Sequence, residues 1–123
     1  MTDPIKLIGN VASPYTRKMV AYLRYKRIPY EVIWGQPEDI LVSMNIEAPK
    51  PVLLPVFILD RAGQRTAVTD STPLIREFEE IYTDRSVLPK DPALNFINYV
   101  LEDFGDEWCT KFMFHYRWHF DED

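Results

Sequence analysis

The sequence predicts an α/β sandwich over residues 1–88, followed at 91–123 by one long helix that begins a separate helical unit. Three observations carry that reading. Short β-like runs alternate with helical patterns along the first part, in the order β-α-β-(α)-β-β-α. The charge balance then breaks near Lys90: residues 1–90 carry 12 basic and 11 acidic side chains, residues 91–123 only 2 and 8. Beyond the break, Leu94, Ile97, Leu101, Phe104, Trp108 and Phe112 recur at steps of three and four, which is the spacing of one helical face.

"IKLI" at 5–8 is strand-like and is closed by Gly9-Asn10. From Ser13 the pattern turns helical. Ser13 suits the N-cap, and Pro14 suits the first helical position, where a missing N–H costs nothing. Met19, Val20 and Leu23 form the apolar face of this helix, whereas Arg17, Lys18, Arg24, Lys26 and Arg27 read as solvated. Pro29 stops it, and "YEVIW" at 30–34 is a second strand of β-branched and aromatic character. "EDILVSM" at 38–44 reads as a short helix. The run 52–59 is strand-like, but Pro55 cannot donate to a central ladder and so belongs at a strand start or on an edge. "DRAGQ" at 60–64 is a turn with Gly63 as its positive-φ residue, and "RTAVT" is a fourth strand, so 53–69 forms a hairpin. Asp70-Ser71-Thr72-Pro73 opens the next helix, whose buried face is Leu74, Ile75, Phe78 and Tyr82. The strand-helix-strand start implies a parallel pair with a right-handed crossover, to which the hairpin adds antiparallel strands.

Asp91 and Pro92 cap the last helix, which would be about 44 Å long if unbroken to residue 119. Phe96, Tyr99, Met113, Phe114, Tyr116 and Trp118 lie off its apolar stripe, so its far end is apolar nearly all round. Such a helix is normally buried. The rest of a helical domain, or another subunit, is expected to cover it. Gly105 inside it marks a kink or a close neighbour.

Composition excludes several function classes. A net charge of −5 disfavours a general nucleic-acid binder, which needs clustered Lys and Arg. The single cysteine, Cys109, rules out an internal disulfide framework and any multi-cysteine zinc site, and points to a reducing, cytoplasmic setting. "MTDPIKLIGN" lacks the basic and apolar regions of a secretory signal, and no run approaches the roughly 18 apolar residues of a membrane span. His115 and His119 stand four apart on one helix, but no Glu follows His115 in the metalloprotease manner and the chain has only these 2 histidines. Packing or solvent is the expected fate of both. "EDFGDE" at 102–107 lacks the alternating oxygen ligands of a calcium loop. No metal is expected. Cys109, in an aromatic and acidic helix, is a poor nucleophile, because its surroundings disfavour a thiolate.

The chemistry-bearing candidates are Ser-Pro at the first helix, the proline opening the third strand, and Asp-Ser at the later helix. Ser13 fits a plain helix cap and an anion-facing hydroxyl alike, and Asp70-Ser71 fits ordinary capping equally well. Their order and spacing resemble the cytosolic glutathione S-transferases, which join a thioredoxin-like N-terminal domain to an all-helical C-terminal domain. "SPYTRK" occupies the place of the family's Ser-Pro-x-x-Arg-Lys or Cys-Pro-x-x, "VLLPVF" that of its Val-Pro segment, and "VTDSTPLI" that of its acidic-Ser pair. The resemblance covers residues 5 to about 88, and 91–123 then looks like the first helix of the second domain.

By that resemblance, Ser13 would meet the glutathione sulfur, where a helix N-terminus and a hydroxyl donor both favour the thiolate. Pro55 would be cis, and the backbone of Leu54 would pair with the cysteinyl part of glutathione. Leu54 stands where the family usually has Val. Ser71 and the N–H groups of its helix would take the γ-glutamyl carboxylate, and Asp70 the ammonium. Lys50 would lie near the glycine carboxylate, although "KPVLLP" holds a longer gap than the family's Lys-Val-Pro. The expected activity is conjugation of glutathione, as co-substrate, to a small electrophile, by a homodimer that a domain swap of the long helix could build. A non-catalytic interaction module is the alternative, since family members run longer than this chain and their electrophile pocket lies between the two domains. Thiol exchange is disfavoured, because residue 13 is Ser and supplies no protein thiol.

Overall fold

The computed structural model describes residues 3–120, which divide into two compact units at Arg85/Ser86. In the first unit, β1 (Ile5–Gly9), α1 (Pro14–Lys26), β2 (Tyr30–Trp34) and α2 (Pro37–Ser43) are followed by β3 (Val56–Arg61), β4 (Gln64–Val68) and α3 (Ser71–Ile81). The sheet runs β2-β1-β3-β4. β1 and β2 are parallel, with Leu7 opposite Val32, and β3 is antiparallel to both β1 and β4, with Phe57 opposite Leu7 on one side and Val68 on the other.

Side-chain alternation divides the core between the two sheet faces. Ile8, Leu41, Val56 and Ile58 pack together under α2, with Ile33 and Ala67 at their margin. Leu7 and Phe57 therefore point the other way, to the face that holds α1 and α3. There Phe57 meets Phe78, which in turn stacks on Tyr22. Met19, Leu23, Leu74 and Ile75 are buried, as their spacing predicts.

The first unit departs from expectation in its details. β3 begins at Val56 rather than 52, with Pro55 just outside the ladder, where its missing N–H is harmless. α1 ends at Lys26, before Pro29, because Arg27 turns left-handed at φ 58° and its N–H closes on the carbonyls of Leu23 and Arg24. Lys26 is not solvated: it is only 5% exposed, and its ammonium pairs with Glu79 at 2.9 Å and donates to the Tyr82 carbonyl. The Tyr22 hydroxyl donates to the same carboxylate at 2.8 Å. Burial, and then the bond to Glu79 and its charge, push the Tyr22 phenol well above its ordinary value.

The second unit is a helical rod of α4 (Pro92–Asp103), a π-helical segment (Phe104–Cys109) and α5 (Thr110–Trp118). The expected single α-helix is thus interrupted. The steps 104→108→112 are two fours in succession, each drifting about 40° from a 3.6-residue repeat. A π turn, closing i→i+5 bonds, takes up the surplus residue and keeps the stripe in line. Gly105 lies in this segment with open space beside it, so it marks no close neighbour. The Thr110 hydroxyl donates back to the Asp106 carbonyl at 2.8 Å. No residue of α4, the π segment or α5 is buried; Phe96 is 67% exposed and Trp118 72%.

Candidate functional site

The sheet register collects five of the six predicted site residues at one end of the first unit. β1 runs out at Gly9 toward the α1 N-terminus, β3 enters at Val56, and β4 runs out at Val68 toward α3. Ile8 pairs with Val56 and Phe57 with Val68, so the Ser13 turn, the Leu54-Pro55 step and Asp70-Ser71 all leave the sheet at the same edge. Two helix N-termini open there.

The turn before α1 is built by short polar side chains. The Asn10 carbonyl accepts from the Ser13 N–H at 3.0 Å, and the Asn10 side chain accepts from the Ala12 N–H at 2.9 Å. Ser13 is a true N-cap: its Oγ accepts from the Thr16 N–H at 3.2 Å. A hydroxyl that accepts in this bond still has its own proton to donate elsewhere. Thr16 is fully buried against Gly9, where an added Cβ would lie 2.5 Å from its methyl group. That close approach seats the first turn of α1 directly on β1.

At the second position, Leu54 is half-buried and Pro55 buried. The Leu54-Pro55 bond is cis, and so is Lys50-Pro51. At the third, Asp70 takes φ 82° and ψ 111°, outside the ordinary regions for a non-glycine residue, and its carboxylate makes no bond to the helix it precedes. Asp70 is exposed, whereas Ser71 is 7% exposed. The expected capping role of Asp70 is therefore not the one its side chain plays. Lys50 stands apart: it lies in the loop between α2 and β3, exposed, and outside the sheet ladder.

Sequence reasoning missed Lys18, which it placed in solvent. Lys18 is half-buried, and its ammonium donates to the Ser71 hydroxyl at 3.0 Å. No local pattern could have found it, because the partner lies on another helix. His115 and His119 stack ring on ring at 4.7 Å, and among the described residues there is no group of three or more His, Cys, Asp or Glu placed to hold a metal.

Residues 7–86 match the profile of the glutathione S-transferase N-terminal domain. The chain belongs to the glutathione S-transferase family. Among curated relatives, glutathione S-transferase U3 of Arabidopsis thaliana is 29% identical over 110 residues, covering 88% of this chain and 47% of the relative. Glutathione S-transferase U4 of the same plant is 27% identical over 111 residues, covering 84% and 46%. This transferase-family chain thus spans about half the length of the curated relatives it matches. A glutathione S-transferase of Methylobacterium radiotolerans, solved with glutathione sulfonate, superposes with a TM-score of 0.62 at 26% identity, over 76% of this chain and 42% of that one. The Tau class enzyme of mango superposes at 0.68, with 22% identity over 97% and 53%, a likeness of fold. The sheet with its α1, α2 and α3 is accordingly the thioredoxin-like N-terminal fold of the family.

Proposed function

We propose that this chain carries the glutathione site of a transferase. The supporting observation is the convergence of Ser13, Leu54-Pro55 and Asp70-Ser71 at one sheet edge, with two helix N-termini opening beside them. In this reading the Ser13 proton, not used by its cap bond, is donated to the glutathione sulfur. That donor and the α1 dipole lower the thiol pKa and raise the fraction of thiolate. The Leu54 backbone pairs with the cysteinyl unit. Ser71 and the first N–H groups of α3 take the γ-glutamyl carboxylate, and the Asp70 carboxylate, which makes no capping bond to its own helix, takes the ammonium. Lys50, exposed in the loop between α2 and β3, is the candidate for the glycine carboxylate by the family resemblance alone. The thiolate then attacks an electrophilic carbon of a small substrate: a carbon–sulfur bond forms as the leaving group departs with its electron pair.

The helical rod of α4, the π segment and α5 is the first helix of the family's second domain, the working unit is a homodimer, and its setting is cytoplasmic. The test is calorimetric titration of the chain with glutathione, beside the Ser71→Ala and Ser13→Ala variants. Saturable binding weakened by Ser71→Ala, with conjugation reduced by Ser13→Ala about 10- to 100-fold, the worth of one hydrogen bond to a charged group, is expected. Binding and conjugation both indifferent to Ser13→Ala would remove its catalytic role.

One observation favours a second reading. Every large apolar side chain from Leu94 to Phe120 that the structure describes, other than the half-covered Met113, is exposed. A transferase-like module that lends this rod to a protein partner, without turnover, would show no conjugation at millimolar glutathione.

A further inference from the structure

His115 and His119 stand on successive turns of α5, and the helix is unbroken between them. The His119 N–H donates to the His115 carbonyl at 3.1 Å, and His119 keeps helical angles at φ −81° and ψ −30°. Four residues advance about 6 Å along a helix and return to within about 40° of the same face. The two imidazoles therefore project side by side, with ring centroids 4.7 Å apart and planes 22° from parallel.

From sequence pattern these rings had two fates, packing or solvent, and the structure adds a third feature to the second. Both residues are exposed, so no core takes them up. Among the described residues neither imidazole is engaged in a hydrogen bond or an ion pair; each meets only other rings. Phe120 stands edge-on against both, its centroid 5.6 Å from that of His115 and 5.1 Å from that of His119. Tyr116 stands edge-on against His115 at 5.2 Å. These aromatic walls hold the pair together on an open helix end, and so remove part of the rotamer freedom that a shared ligand would otherwise have to remove.

The χ2 wells of histidine are broad, so two rings held this close can each turn one nitrogen toward a common ion. The distance such an ion requires is roughly 2.0–2.1 Å from each nitrogen. Ring nitrogens also narrow its identity. Neutral imidazole suits Cu²⁺, Ni²⁺ and Zn²⁺, whereas Mg²⁺ and Ca²⁺ take oxygen ligands. Charge favours a cation here, since residues 91–123 carry 2 basic side chains against 8 acidic ones.

We infer that His115 and His119 form a two-imidazole chelate for one divalent ion of the copper, nickel and zinc group. Once the first ring binds, the helix presents the second at high effective concentration, so the pair binds far more tightly than either ring alone. The remaining coordination positions belong to water and stay open to a further donor. The site lies wholly in the second unit and shares no residue with the proposed glutathione site.

The test is titration of the full chain with nickel chloride, followed by calorimetry and by amide-resolved NMR, in which bound Ni²⁺ broadens the signals around it. One ion per chain is expected, with broadening centred on residues 115–119. His115→Ala and His119→Ala should each weaken binding about tenfold or more, because either leaves a single imidazole. Cys109→Ser, which removes the other soft donor of the rod, should leave the affinity unchanged. Circular dichroism and the amide spectrum report that each variant keeps its helices and its first-unit fold. Four results would overturn the site: no saturation at millimolar nickel, broadening centred elsewhere in the chain, full affinity in either histidine variant, or loss of binding in Cys109→Ser.

Discussion

The Lys18 ammonium on α1 donates a hydrogen bond to the Ser71 hydroxyl at the start of α3, 3.0 Å away and 53 residues on in the chain. A serine oxygen that accepts from a cation has its proton left to give. Ser71 is thereby set as a donor, which suits a ligand carboxylate and not a ligand ammonium. The Lys18 charge adds to the positive end of the α3 dipole at the same point.

Lys18→Met should therefore weaken glutathione binding about tenfold or more, the usual worth of a hydrogen bond to a charged group. Ser71→Ala should do the same, and the double variant should lose little beyond either single one, because the two side chains act as a unit. Calorimetric titration of the three proteins gives the coupling directly. Simple additivity would show that Lys18 and Ser71 act on the ligand independently, and would remove the role of Lys18 in setting the Ser71 hydroxyl as a donor.

The Lys26–Glu79 pair should dominate the stability of the α1–α3 contact. Its side chains are 0% and 6% exposed, and Tyr22 completes the carboxylate's bonding. Lys26→Met strands a buried carboxylate and should cost about 3–5 kcal/mol in urea denaturation, whereas Lys26→Met with Glu79→Leu should recover most of that loss. Tyr22 gives the cluster a pH dependence. Its phenol titrates higher in the folded chain than in the unfolded one, so its contribution is complete below the unfolded value near pH 10 and is lost as pH rises through the folded value. The alkaline fall in stability should be shallower in Tyr22→Phe.

Gly9 should tolerate no side chain. A Cβ there meets the Thr16 methyl at 2.5 Å, and Thr16 is fully buried with its hydroxyl accepting from the Asn10 N–H. Gly9→Ala should cost about 1–3 kcal/mol, the range for overpacking a tight contact. Adding Thr16→Ser removes the clashing methyl, keeps the hydroxyl and should restore part of the melting temperature.

The β3–β4 turn should accept improvement. Its two central residues, Ala62 and Gly63, have φ of 53° and 78°, the left-handed pair of a two-residue hairpin. Glycine takes that conformation without strain, but alanine pays for its Cβ. Ala62→Asn should stabilise the chain by up to about 1 kcal/mol, read as a rise in melting temperature.

Much of this was legible from local pattern. The strands, the Ser13 cap and the buried face of α3 rest on alternation, capping and helical spacing, each complete within a dozen residues or so. The failures share a different cause. Lys18 and Lys26 read as solvated because a lysine on a polar helix face usually is, and their partners Ser71 and Glu79 lie more than 50 residues away. Asp70 reads as a cap because Asp-Ser-Thr-Pro is a helix start, but its backbone takes φ 82° and ψ 111° and its carboxylate makes no capping bond. The π segment was written in the doubled step of four from Phe104 to Phe112, which an average helical period absorbs unnoticed.

Residues 92–120 should make the chain self-associate. A helical rod has no second layer of its own, and α4, the π segment and α5 leave Phe96, Leu101, Phe112, Tyr116 and Trp118 each more than half exposed. Apolar surface of that extent on one element exceeds the patches that monomers usually leave in water. Light scattering should give a mass that rises with concentration above 14.5 kDa. Leu101→Glu with Phe112→Glu should lower it without altering the first unit, whose core does not include them. A clean monomer at high concentration would mean that the rod is tolerated in water, and would count against both the homodimer and the partner-binding readings. A mass unchanged by the two substitutions would place association on another surface of the chain.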